Sequence, residues 1–240
     1  MVMKPFFRDK VYSPMDRIGE YTLLKVIGEG RYGICYLAAR DRNKYIVKQL
    51  KRVAVRKSKK SADFEEEILG SVTHERIPQF ITRISTTKFK GYVLEYKEGK
   101  TFEELIYTEK RTFQRDEIQS IGHQIIQILK YLHSRGVVHR DIRVPNIIYH
   151  EERVHVVDFG LSRWIDNNTY SADMDFSFLG DFLLHLYYTS YEGDTSKSKP
   201  WYEELRLTDL EMILLKRLLG IKDRYRYIDE VENDFRTLIA

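Results

Sequence analysis

The chain has 240 residues, 42% of them apolar and 32% charged, which excludes a disordered or fibrous polymer and leaves room for one large domain or two small lobes. Its single cysteine, Cys35, excludes an internal disulfide and a cysteine-built zinc site. The net charge of +4 conceals a split: residues 1–97 carry 21 Lys/Arg against 11 Asp/Glu, and residues 98–240 carry 19 against 25. Such a split points to two lobes with different surroundings and is too modest in total to imply nucleic acid.

Residues 1–20 read as a partly ordered arm. They open MVMKPFFRDK, with no apolar run that would mark a secretory leader. Residues 21–27 read as a strand, followed at once by Gly28, Gly30 and Gly33 and then by a second strand over 34–39. The glycines therefore sit in a strand–turn–strand hairpin. Residues 45–50 form a third strand. Residues 51–60 hold six basic side chains in ten. They read as a solvated connection, or alternatively as a docking patch for an acidic or nucleic-acid partner. A helix is predicted over 62–72, and strands over 77–84 and 90–95.

Gly99 lies near a linker, after which the apolar period lengthens from two towards four. A helix begins at 102–106, and a long one covers 115–135, with Ile118, Ile121, Ile125, Ile128, Leu129 and Leu132 at helical spacing. Gly136 stops it. Two short strands are expected at 146–149 and 153–157, then helices over 175–188, 209–219 and 229–238. The most apolar stretch, 176–188, carries Asp181 and His185 and is too short to span a bilayer. No membrane partner is expected, and a reducing cytoplasm fits the cysteine count. The organisation is α+β, a β-rich lobe with one main helix before an α-rich lobe: an arm at 1–20 and lobes at 21–97 and 98–240.

The run from Gly28 to Gly33 is a GxGxxG between two strands. That context suits a flap whose backbone N–H groups cover phosphates, and not a dinucleotide turn into a helix. Lys48, flanked by apolar residues in a strand, calls for a charge partner. The FEEE run offers one: Glu65 is the expected inward carboxylate, with the register among Glu65, Glu66 and Glu67 left open. Further on, His139-Arg140-Asp141 is followed by Asn146, and twelve residues later by Asp158-Phe159-Gly160. Asp141 can orient a hydroxyl and accept its proton, and Asn146 and Asp158 offer oxygen ligands to Mg²⁺.

The whole ordered set resembles the eukaryotic-type protein kinase superfamily, over residues 21 to 235. The resemblance implies a bilobal kinase-like fold and an ATP- and Mg²⁺-dependent phosphotransferase, of serine/threonine type, acting on a protein. It implies that Gly28, Gly30 and Gly33 cover phosphates and that Lys48 holds them, paired with Glu65. Glu95 and Lys97 would lie where the backbone reads adenine, with Ile148 as the floor beneath it. Asp141 would be the catalytic aspartate, Asn146 and Asp158 the metal ligands, and Asp175 the brace of the catalytic loop.

Several positions depart from the family pattern. Arg143 replaces the usual lysine and keeps a positive charge near the γ-phosphate. Ile46 stands where alanine usually roofs the adenine, and Cys35 where valine contacts it. Only 17 positions separate Asp158 from Asp175, about half of what the family pattern requires, and no APE motif is present. This shortening is similar to that of small atypical kinases such as the Rio group. It implies that activity does not need phosphorylation of Thr169, Tyr170 or Ser171. A small-molecule kinase and a pseudokinase scaffold are the rival readings.

Overall fold

Alternation of apolar and polar residues over the first hundred positions builds an antiparallel sheet, because side chains at i and i+2 share a face. The computed structural model describes residues 9–30, 33–51, 59–166, 168–193 and 199–238. It divides into two compact units, one holding residues up to 73 with 78–96, the other 74–77 with the chain from 97 onward.

The first unit is a six-stranded sheet of β1 (Arg17–Ile18), β2 (Tyr21–Glu29), β3 (Gly33–Arg40), β4 (Asn43–Leu50), β5 (Phe80–Ser85) and β6 (Lys90–Glu95). The order is β1-β2-β3-β4-β6-β5, with every pairing antiparallel. One face carries Ile34, Tyr36, Ala38, Val47 and Val93 into a core shared with Tyr12, Ile18, Tyr21, Leu23 and Phe89. Residues expected as an arm thus supply Tyr12 and Ile18 to that core. The Tyr12 N–H donates to the Tyr36 hydroxyl at 3.1 Å, and Gln49 Nε2 donates to the Lys10 carbonyl at 3.0 Å. Helix α1 (Lys59–Ser71) belongs to the same unit.

In the second unit, β7 (Lys100–Thr101) leads into a π turn at Glu104–Thr108 and then into the long helix α2 (Arg115–Ser134). Gln114 and Glu117 close a capping box at the start of α2. Gly136, at φ +73°, lets the chain leave α2 in the left-handed conformation. β8 (Val137–Val138) follows, then the hairpin of β9 (Ile147–His150) and β10 (Arg153–Val156), and β11 (Arg163–Trp164), which pairs back on β8. Four helices complete the unit: α3 (Met174–Tyr188), α4 (Trp201–Glu204), α5 (Asp209–Leu218) and α6 (Ile228–Arg236). Helix α3 is apolar over most of its circumference and buries Phe176, Leu179, Phe182, Leu183 and Leu186, leaving Ser177 and Asp181 exposed. That burial accounts for the apolar run at 176–188, and no helix among the described residues is long and apolar enough to cross a membrane. At Gly122 on α2 a Cβ would come within 2.4 Å of the Phe235 ring, so the glycine is what admits α6.

The boundary between the units falls at Tyr96/Lys97, and residues 74–77 belong with the second unit, because their backbone is claimed there. The Lys97 ammonium donates to the Glu75 carbonyl at 2.7 Å, and the Val156 N–H donates to the Arg76 carbonyl at 3.0 Å.

Helix α6 is pinned to α2 by Glu232, which accepts from Lys130 at 2.7 Å and Gln127 at 2.9 Å. Those hydrogen bonds, Lys130 foremost, hold the Glu232 carboxyl down at about 2. A carboxyl depressed in the folded state stabilises above its unfolded pKa and loses that contribution as pH falls through its folded value. Urea midpoints should therefore drop as pH is lowered from about 4.5 to about 2. Glu232→Gln should flatten that limb of the profile.

Candidate active site

Strand register sets one group of candidate residues, within the first unit. Cys35 on β3, Lys48 on β4 and Tyr92 on β6 are direct cross-strand partners, and so are Leu37, Ile46 and Leu94. Both rows lie on the face opposite the Tyr36–Val47–Val93 core, since adjacent residues alternate sides. Cys35 and Ile46 are half-buried on that face, and Gly28 pairs with Cys35 across β2. At Gly28 and Gly30 a Cβ would meet nothing within 4 Å, which leaves the backbone open to a close approach. Gly33 differs: it pairs with Leu50, and a Cβ there would lie 2.6 Å from the Gln49 carbonyl oxygen. Its glycine is dictated by the β3–β4 contact.

Lys48 is 8% exposed and Glu65, on α1, 4%. The Lys48 ammonium donates to both carboxylate oxygens of Glu65, at 2.7 and 2.8 Å. The other two glutamates face elsewhere, Glu66 towards Arg83 at 3.1 Å and Glu67 exposed. Of the basic run at 51–60, Lys51 pairs with Glu29 at 2.6 Å, and residues 52–58 lie outside the described residues.

A second group of candidate residues lies within the second unit. Asp175, fully buried near the start of α3, gathers the loop after β8. Its Oδ1 accepts from the Arg140 N–H at 2.6 Å, and its Oδ2 from the His139 N–H at 3.0 Å. His133 Nε2 lies 2.9 Å from the same Oδ2. Arg140 is held at φ +66°, a conformation that costs a non-glycine residue and persists where its surroundings determine it. His139 is buried, and burial lowers its pKa. Its Nδ1 accepts the Asp141 N–H at 3.2 Å, which requires that nitrogen unprotonated.

Asp141 itself is 6% exposed. Asn146 donates from Nδ2 to the Asp141 carbonyl at 3.1 Å and to Oδ2 at 2.7 Å. With its amino group committed inward, the amide oxygen of Asn146 is the atom left to offer a cation. Arg143 grips Asp141, Nε on Oδ1 and Nη2 on Oδ2 at 2.9 Å. The hydrogen bond to Asp141 raises the Arg143 pKa further. The Arg143 side chain is half exposed. Asp158 is exposed at φ +59°, and its Oδ1 accepts the Gly160 N–H at 3.2 Å. No group of three or more His, Cys, Asp or Glu that could hold a metal ion is found among the described residues. The donors of Asn146 and Asp158 are one amide oxygen and one carboxylate, an oxygen-only set that suits a hard cation such as Mg²⁺.

After Phe159, which is buried and packs edge-on to His139 at 4.7 Å, the short segment is tied down. The Arg140 guanidinium donates to the Leu161 carbonyl at 3.0 Å and lies 4.7 Å over the Tyr170 ring. Asp166 Oδ1 accepts the N–H groups of Asn168, Thr169 and Tyr170 at 2.8–2.9 Å, and those bonds lower its pKa.

Among the other expected positions, Ile148 is half-buried on β9, paired with His155 and Thr101. Glu95 and Gln79 bond each other, Glu95 N–H to the Gln79 carbonyl and Gln79 N–H to Glu95 Oε2. The Lys97 side chain is turned onto Glu75. Two residues escaped sequence reasoning: His133, a polar residue at a half-buried position of α2, and Tyr92, which reads as an ordinary strand residue.

Comparison with known proteins supplies a family. A family model described as the protein kinase domain matches residues 21–192. The chain is 34% identical over 229 residues to the probable serine/threonine-protein kinase YbdM of Bacillus subtilis, covering 92% of this chain and 90% of that protein. It is 26% identical to serine/threonine-protein kinase TIO of Arabidopsis thaliana, covering 92% of this chain and 18% of that protein. A probable serine/threonine-protein kinase KIN1 homolog of Enterocytozoon bieneusi is 29% identical, covering 78% of this chain and 31% of that protein.

Proposed function

From the premise that this chain belongs to the protein kinase domain family, we propose that it transfers the γ-phosphoryl group of ATP to a serine or threonine hydroxyl of a protein, with Mg²⁺ bound. The observation that carries this reading is the filled and connected constellation of Lys48 with Glu65, and of Asp141 with Asn146. The serine/threonine specificity rests on the names of the relatives. A cytoplasmic setting agrees with the cysteine count.

In this reading Gly28 and Gly30 let the backbone approach phosphates, and Lys48 neutralises them while Glu65 holds it in place. Cys35, Ile46, Glu95, Lys97 and Ile148 contribute the surroundings of the base, Glu95 and Lys97 through their backbone. Asn146 and Asp158 would hold Mg²⁺, which when bound neutralises phosphate charge. Asp141 orients the acceptor hydroxyl and takes its proton as the oxygen bonds to the γ-phosphorus and the bond to the β-phosphate oxygen breaks. Arg143 keeps the Asp141 carboxylate oriented, and its half-exposed side chain is long enough to swing towards a phosphate.

The test is radiolabelled ATP with Mg²⁺, the purified chain and a generic protein acceptor, beside an Asp158→Asn control. Label on protein serine or threonine that disappears in the control is expected. Label confined to a small molecule, or equal in the control, would overturn the reading.

The tethered segment adds a second expectation. The Arg140 guanidinium is already taken up by the Leu161 carbonyl and the Tyr170 ring, and Asp166 by three N–H groups of the segment, so basal activity should not require phosphorylation. A triple variant, Thr169→Ala, Tyr170→Phe and Ser171→Ala, should keep activity within about twofold of wild type, because phenylalanine retains the ring under Arg140. Tyr170→Ala should lose several-fold more. If the triple variant and phosphatase-treated wild type both lose most of their activity, the segment is switched conventionally.

A further inference from the structure

The Lys48–Glu65 pair has a third neighbour. Tyr92 stands directly across from Lys48 on β6, and the Lys48 ammonium lies 6.0 Å from the centre of its ring. Tyr92 is fully buried, with Phe80 packed on the ring at 6.1 Å. Its hydroxyl is buried too, and has no hydrogen-bond partner among the described residues. An unpaired hydroxyl in such a place costs free energy that phenylalanine, filling the same space, would avoid. Burial first, and then the negative charge of Glu65, push the Tyr92 pKa well above the ordinary tyrosine range. The group therefore remains an O–H donor.

Glu65 is where that donor has a use. Both of its oxygens accept from one ammonium, and an ammonium has three N–H groups. Turning the ammonium so that one N–H meets a phosphate oxygen swings the others out of line with Glu65, and leaves a carboxylate oxygen short of a donor in a pocket where Glu65 is 4% exposed. Water has little access there to replace it.

We propose that Tyr92 is a positioning residue for the Lys48–Glu65 pair, its hydroxyl donating to Glu65 when the Lys48 ammonium turns to a nucleotide phosphate. The donation keeps the carboxylate satisfied, and Glu65 keeps the lysine aimed. This rests on the reading of Lys48 as the phosphate-holding lysine.

The experiment compares wild type, Tyr92→Phe and Lys48→Met as full chains. Thermal melting is measured without nucleotide, Mg²⁺-ATP affinity by calorimetry, and KM and kcat for ATP by phosphotransfer. Tyr92→Phe should melt at the wild-type temperature or above it, since an unpaired buried hydroxyl is gone. It should also bind Mg²⁺-ATP about tenfold more weakly, the loss of one hydrogen bond to a charged group, with KM carrying most of the change. Unchanged affinity in Tyr92→Phe overturns the proposal. So does a lower melting temperature accompanying the loss, because the residue is then structural. If Lys48→Met binds Mg²⁺-ATP as wild type does, the reading of Lys48 fails and takes the proposal with it. If Lys48→Met loses binding while Tyr92→Phe does not, the proposal fails alone.

Discussion

Lys48→Met is expected to lower phosphoryl transfer by about 10²–10³-fold, the scale seen when one positioned electrostatic donor is removed from an active site. It should also cost stability. Glu65 is 4% exposed and both its oxygens are served by Lys48, so methionine leaves a buried carboxylate without its counter-charge. Breaking a buried pair from one side typically costs about 3–5 kcal/mol. Lys48→Met combined with Glu65→Gln should recover much of that stability and none of the activity, because the pair is removed as a unit. Urea unfolding and the radiolabel assay read the two effects separately. Additive destabilisation in the double variant would show that the two side chains are not energetically coupled. Wild-type turnover in Lys48→Met would remove it from the site.

Asp175→Ala is expected to destabilise the second unit by about 3 kcal/mol or more and to lower kcat by about 10²-fold. The carboxylate is fully buried and takes the N–H groups of His139 and Arg140, with His133 beside them. Alanine would leave those donors unpaired away from water. It would also release Arg140 from a positive φ that the chain does not adopt unaided. Asp141 is the next residue, so a shift of the loop moves it directly. Asp175→Asn, which keeps an acceptor oxygen but loses the charge, should fall between. Melting curves and kcat measured at saturating ATP test this. A variant that melts as wild type does would mean that the brace carries no weight.

Much of the fold was legible because long elements repeat their signal. Helix α2 shows six apolar residues at helical spacing, and it runs over Arg115–Ser134 against an expectation of 115–135. Strands β2 to β6 of the first sheet were placed to within a few residues, since period-two patterns bounded by glycine and polar turns are local signals. The two-residue strands β1, β7, β8 and β11 were not legible. Each exists only because another segment pairs with it, Lys100 with Tyr149 and Arg163 with Val138, and two residues carry no period. Residues 9–20 likewise became part of a core through Tyr12 and Ile18, whose partners lie on strands farther along.

The site divides in the same way. Which chemical groups are present, and in what order, is written in the chain: a glycine hairpin, a lysine in a strand, three glutamates within a helix, His-Arg-Asp before an asparagine, and Asp-Phe-Gly. These are runs and spacings within short stretches, and all of them fall inside residues 21–192, which the family model matches. Only the tertiary structure decided which of three glutamates meets Lys48, that Arg143 grips Asp141, that Lys97 turns to Glu75, and that Tyr92 lies beside the ion pair. Each of those depends on strand register or on the face of a helix. Packing sets both, through apolar residues far apart in the chain, so no local pattern can carry them.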